Sequence, residues 1–110
     1  MDKDHLTELF SVFGPIEVRR MFGAAGLFAD GVMFGLVSGG VIYLKADTET
    51  SPRFAGEGCE PFSYATKTGR RTVTSHWRLP DRLYDDPDEL AQWARMAFGT
   101  AVAAARKKRR

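Results

Sequence analysis

Cysteine occurs once in this 110-residue chain, as Cys59, and histidine twice, as His5 and His76. A single cysteine excludes an internal disulfide framework. Three widely spaced Cys and His residues, with no C-x-x-C or H-x-x-x-H pair, offer zinc no local ligand set, so no metal or other cofactor is expected. No apolar run approaches the ~20 residues that span a bilayer, which removes a membrane partner. The polar start Met1-Asp2-Lys3-Asp4-His5 has no apolar signal core behind it, and the expected location is the cytoplasm.

Bulk and charge fill the frame those absences leave. Eight Phe, three Tyr and two Trp in a chain that is 44% hydrophobic provide enough material for one core, and the composition is too apolar for disorder. Sixteen Lys and Arg face fourteen Asp and Glu, but five of the basic residues are the C-terminal Arg106, Lys107, Lys108, Arg109 and Arg110. Setting these five aside leaves eleven basic against fourteen acidic residues, a net charge of −3 over residues 1–105. The expected organisation is one domain over 1–105 and a basic tail over 106–110.

Leu6, Leu9, Phe10 and Phe13 recur at helical spacing behind Asp4, a residue able to cap the first free amides, and Gly14-Pro15 stops the helix. Residues 16–22 then alternate, with Ile16, Val18 and Phe22 on one face and Glu17, Arg19 and Met21 on the other. Asp30-Gly31 and Gly39-Gly40 punctuate the following apolar runs as two-residue hairpin turns, so 16–45 reads as a four-stranded antiparallel meander. Residues 46–60 read as a loop with one helical turn. Phe62–Ala65 and Thr72–Trp77 around Lys67-Thr68-Gly69-Arg70 form a second hairpin, closed by Pro80. Asp86-Pro87-Asp88-Glu89 supplies a cap, a proline at the first helical position and carboxylates at the positive end of the dipole, ahead of an Ala-rich helix to Ala105. The fold class expected is α+β: an antiparallel sheet of about six strands flanked by an N-terminal and a C-terminal helix, both on one face.

Converging polar groups of the kind catalysis needs are scarce. Ser75 and His76 are adjacent on a strand, so alternation places their side chains on opposite faces and denies them a nucleophile–base contact. Cys59 sits in an expected exposed loop where Glu57 and Glu60 would raise its pKa, the setting of an inert thiol. Asp86, Asp88 and Glu89 are explained by the helix start, and Gly23-Ala24-Ala25-Gly26 lacks the following Lys-Ser/Thr of a phosphate loop. No catalytic residue is assigned and the protein is read as not an enzyme. The aromatics Phe22, Phe28, Phe34, Phe62, Tyr64 and Trp77 suit a base-stacking platform in principle, but a small sheet needs such residues for its core, which is where they are placed.

The basic positions are the candidates for contact with a partner. Lys67, Arg70, Arg71 and Arg78 lie on the second hairpin with no acid anywhere between residues 61 and 80. Arg19-Arg20 interrupts the first strand, and Arg20 falls on the Val18 face that should be apolar, where it either pairs with a carboxylate at the sheet edge or serves a partner. The tail Arg106–Arg110 would bind phosphates or simply keep the terminus solvated.

Arg19-Arg20-Met21-Phe22-Gly23, Gly26-Leu27-Phe28, Asp30-Gly31, Tyr43-Leu44-Lys45, Pro61-Phe62-Ser63-Tyr64, Leu79-Pro80, Asp86-Pro87-Asp88-Glu89-Leu90 and Trp93-Ala94 occur in this order. Together they resemble the TfoX (Sxy) N-terminal domain family from about Leu6 to Ala105, with Ala24 where members usually have a second glycine. The resemblance implies a curved antiparallel sheet with flanking helices, as in bacterial regulators of competence for DNA uptake that assist a transcription activator and carry a further C-terminal domain. This chain is expected to be a stand-alone member. The reading is a non-enzymatic regulatory or adaptor protein, linked to competence or transcription regulation through contact with a protein partner such as the transcription machinery, with a homodimer also open. The alternative is a nucleic-acid-binding accessory protein using the tail and the Lys67–Arg78 hairpin.

Overall fold

The computed structural model describes residues 1–21 and 23–108. Helix α1 (Lys3–Leu9) is capped by Asp2, whose carboxylate accepts from the His5 N–H at 2.8 Å, two residues earlier than the Asp4 cap expected from sequence. Asp4 instead adds negative charge to the first turn. The chain then turns through Phe10–Phe13, and Gly14, at φ +139°, supplies the left-handed conformation that redirects it into the sheet.

Four strands follow as a meander: β1 (Glu17–Met21), β2 (Ala24–Ala29), β3 (Val32–Ser38) and β4 (Val41–Lys45). The β2–β3 turn has both central residues at positive φ, Asp30 at 49° and Gly31 at 77°, the geometry whose twist matches that of the flanking strands. Residues expected to form a loop with one helical turn contain a short helix, α2 (Ser51–Gly56), with Pro52 in its first turn and Phe54 fully buried. Strands β5 (Pro61–Thr66) and β6 (Gly69–Arg78) complete one antiparallel sheet in the order β1-β2-β3-β4-β6-β5. The hairpin docks through β6, the later strand, leaving β1 and β5 at the two edges. A 3-10 turn, Asp81–Asp85, which the sequence did not signal, leads into the long helix α3 (Pro87–Lys108).

The sheet and two helices confirm the expected α+β class, and both helices cover the same face. Phe10 stands edge-on to Phe34 of β3 with ring centroids 5.6 Å apart, and Phe13 bridges Phe34 at 5.1 Å and Phe98 of α3 at 6.3 Å. Leu27, Phe34, Ile42 and Leu44 form the sheet side of this core. Leu90, Ala91, Ala94, Ala97 and Ala101 are the buried residues of α3, and their small side chains let the helix axis approach closely. Helix α3 runs through Arg106, Lys107 and Lys108 without a break. Phe22, Arg109 and Arg110 lie outside the described residues.

Candidate interaction surface

The side-chain period of two that sends Leu27, Val37, Ile42 and Leu44 into the helix-covered core sends their neighbours to the opposite face. Register fixes which these are. Arg19 pairs with Gly26, Gly26 with Leu36, Leu36 with Tyr43, Phe28 with Met33, and Tyr43 with Arg78. Phe62 and Tyr64 of β5 continue this face beyond Tyr43: the Phe62 ring meets Tyr43 edge-on at 4.8 Å and stacks on Tyr64 at 6.0 Å. No described helix covers this side. Its aromatics therefore do not belong to the main core: of the six assigned there from sequence, Phe34 is buried and Trp77 is partly buried against that core, whereas Phe28, Phe62 and Tyr64 line the open face.

The open face is a trough. Met21 and Gly26 at one end of the sheet and Phe62 and Tyr64 at the other line the same apolar cavity of about 430 Å³, although three strands separate β2 from β5. Flat strands four places apart would stand roughly 19 Å from one another, so the sheet curls toward its helix-free side. Gly26 sets the floor. A Cβ there would lie 2.8 Å from the Phe28 ring, 2.9 Å from the Met21 methyl and 3.1 Å from the Met33 sulfur, so glycine is what lets those three side chains close over it. Arg19 lies flat above Phe28 with its guanidinium carbon 4.3 Å from the ring centroid, and bonds Glu17 at 3.1 Å.

The basic residues singled out from sequence are dispersed. Arg19, Arg71 and Arg78 share the open face, Arg71 opposite Tyr64 in the register and Arg78 within 3.5 Å of Asp81. Arg70 pairs with Ala65 on the other side, where its guanidinium donates to the Ser63 hydroxyl at 2.8 Å and carbonyl. Lys67 sits exposed at the hairpin turn. Arg20 lies with Lys3 in a separate cleft of about 500 Å³ between the β1 edge and the Gly39-Gly40 turn, and among the described residues no carboxylate pairs with it. Arg106, Lys107 and Lys108 are exposed at the end of the helix packed on the covered face.

Ser75 and His76 do touch, contrary to the expectation from alternation: Ser75 Oγ and His76 Nδ1 are 3.1 Å apart. The β5–β6 register jumps from Phe62 opposite Val73 to Pro61 opposite Trp77, so residues 74–76 form an excursion that breaks the period of two. This contact lacks what activates a serine. The ring is buried, its Nε2 has no hydrogen-bond partner among the described residues, and burial together with the nearby Lys45 lowers its pKa from 6.5 to about 4. Cys59 is half-buried rather than exposed, and its thiol is pushed up first by burial and then by Glu57.

The acidic cluster is absorbed by the fold. Asp86 accepts from the Glu89 N–H at 3.2 Å at the start of α3. Arg82 holds Glu57 through two 2.9 Å bonds and Glu89 at 2.6 Å, which ties the 3-10 turn to the residue after α2 and to α3. The guanidinium bonds hold the Glu57 carboxyl below its ordinary range. Among the described residues no group of three or more His, Cys, Asp or Glu is placed to hold a metal ion, and no helix is long and apolar enough to cross a membrane.

A curled six-stranded antiparallel sheet with one helix-covered and one open apolar face defines a small α+β domain without an assembled catalytic centre among the described residues. The model of the TfoX N-terminal domain matches residues 8–101, and the chain belongs to that family. It is similar to the DNA transformation protein TfoX1 of Aliivibrio fischeri (strain ATCC 700601 / ES114), with 39% identity over 77 residues, covering 66% of this chain and 37% of that protein. It is also similar to Protein Sxy of Escherichia coli (strain K12), with 26% identity over 95 residues, covering 86% of this chain and 45% of that protein. The chain thus spans less than half the length of the curated relatives it matches.

Proposed function

We propose that this protein is a non-enzymatic regulatory domain, related to competence or transcription regulation, that works through contact with another protein. The observation that carries the reading is the open face of the sheet, where Met21, Met33, Leu36, Phe62 and Tyr64 line a trough that no helix among the described residues covers. Large apolar surface left uncovered on a folded domain marks a place where something else binds. Membership of the TfoX N-terminal domain family and similarity to a protein named for DNA transformation support the regulatory setting.

A second reading is direct nucleic-acid binding through the tail and the second hairpin. It is favoured by Lys67 and Arg71, which are exposed and without an ion-pair partner among the described residues, and by the three cations that continue α3. Affinity capture from native cytoplasm, with and without nuclease, separates the two. Protein contact predicts a captured partner that survives nuclease. Complete loss of captured protein after nuclease would overturn it in favour of nucleic-acid bridging.

A further inference from the structure

The open face narrows the chemistry of its partner, an inference that rests on the protein-contact reading above. Its floor is built from Met21, Met33 and Leu36, flexible side chains that adapt to inserted apolar groups. Cations flank it. By register Arg19, Lys45, Arg71 and Arg78 lie on this side of their strands, and Arg78 lines a separate cleft with Glu57, Cys59 and Asp81. Glu17 answers Arg19 and Asp81 answers Arg78, which leaves Lys45 and Arg71 without an ion-pair partner among the described residues.

The same sheet shows what fits such a surface. On its covered face the apolar stripe of an amphipathic helix, α3, packs across β3 and β4. The uncovered face offers a second apolar stripe, now edged with positive charge. Two copies joined through this face would oppose like charges. Single-stranded nucleic acid needs a platform of several free ring faces, whereas Phe28 carries Arg19, Tyr43 is engaged by Phe62 and Phe62 is stacked on Tyr64, so that Tyr64 alone among these rings is exposed. We propose that the trough receives an acidic amphipathic helix of a protein partner, its apolar residues seated on Met21, Met33, Leu36 and Phe62 and its carboxylates on Lys45 and Arg71.

The test is fluorescence anisotropy of the full chain with a labelled amphipathic peptide, leucines at i, i+3, i+4 and i+7 with glutamate elsewhere, and with its lysine-for-glutamate counterpart. The glutamate peptide is expected to bind one per chain and at least roughly tenfold more tightly than the lysine peptide. Raising salt from about 0.05 M to about 0.5 M is expected to weaken it by roughly tenfold, because exposed ion pairs are screened over a shortening Debye length. Leu36→Glu should abolish binding with the circular dichroism spectrum kept. The surface pair Lys45→Glu with Arg71→Glu, which removes no core atom, should invert the preference between the peptides. Equal binding of the two peptides, no binding of either, or an unchanged preference in the charge-reversed pair would overturn the proposal. So would oligo(dT) binding, or self-association in sedimentation, that Leu36→Glu removes. A nuclease-resistant protein partner alongside failure of the glutamate peptide would sink this inference and leave the protein-contact reading standing.

Discussion

Phe34 and Leu36 sit two residues apart on β3, yet the fold gives them opposite duties, and mutating each separately exposes the difference. Phe34 is fully buried and meets Phe10 at 5.6 Å and Phe13 at 5.1 Å, so it joins the sheet to α1 and, through Phe13, to Phe98 of α3. Replacing a buried Phe with Ala removes transfer energy and leaves a cavity, a loss of about 3–5 kcal/mol. That is a large part of the ~5–15 kcal/mol that stabilises a domain of this size. The bulge beside Leu27 and Phe28 puts Phe34 on the core side, while Leu36, paired with Gly26 and Tyr43, faces the trough and is only half-buried. Leu36→Ser should therefore cost about 1 kcal/mol. Urea unfolding followed by tryptophan fluorescence reports both, because Trp93 and Trp77 flank Phe54 in the core at 5.0 and 6.4 Å. Phe34→Ala should also lower Tm by roughly 10–20 °C and Leu36→Ser by roughly 4 °C. Equal losses for the two variants would mean that the open face is structural core, and the separation of the two faces would be wrong.

Four further outcomes follow from particular residues. A Cβ on Gly35 would lie 2.9 Å from the Tyr43 carbonyl oxygen, a backbone atom that cannot swing away, so Gly35→Ala should destabilise by about 1–3 kcal/mol in the same urea assay. Gly26→Ala meets the Phe28 ring at 2.8 Å and the ends of Met21 and Met33, side-chain atoms rather than backbone, and should cost less than Gly35→Ala while reshaping the trough. His76, with its folded pKa lowered to about 4 from 6.5, stays neutral while the unfolded chain takes up a proton. Stability is full above pH 6.5 and falls between pH 6.5 and 4, by up to about 3 kcal/mol. His76→Gln should flatten that part of the pH–stability curve, and an unchanged slope would refute the assignment. Deleting residues 106–110 should leave urea stability within about 0.5 kcal/mol. If the chain binds DNA through that tail, the salt slope should flatten by roughly 0.9 for each phosphate that the tail no longer neutralises.

Much of this fold can be read from local chemistry. Asp30-Gly31 needs two positive φ angles and has them, and Asp86-Pro87 starts α3 as its side chains require. What local pattern does not carry is which face of a two-faced sheet the helices will cover. Phe28, Phe34 and Phe62 are equally apolar in sequence, and only the pairing register and the bulge near Leu27 send Phe34 inward and the other two outward. The docking of β6 rather than β5 onto β4 is equally non-local, and it is this choice that puts Phe62 and Tyr64 on the edge strand, where they line the same cavity as Met21. The contact between Ser75 and His76 escaped the alternation rule for a local reason, the three-residue excursion opposite Pro61 and Phe62. Arg20 did carry a legible signal, a cation on an apolar face, and it lines a cleft with Lys3 where no described carboxylate answers it.

If the helix-free face is where this domain meets another protein, a photo-crosslinking amino acid placed at Tyr64 on that face and, separately, at Ala103 on α3 will report it in living cells. Both positions are exposed, and neither side chain belongs to the buried core. A nuclease-resistant protein adduct is expected from position 64 and none from position 103, with the position 64 adduct absent in the Leu36→Glu background. Protein adducts from position 103 alone, or nucleic acid as the sole adduct at position 64, would show that the helix-free face is not the protein-binding surface.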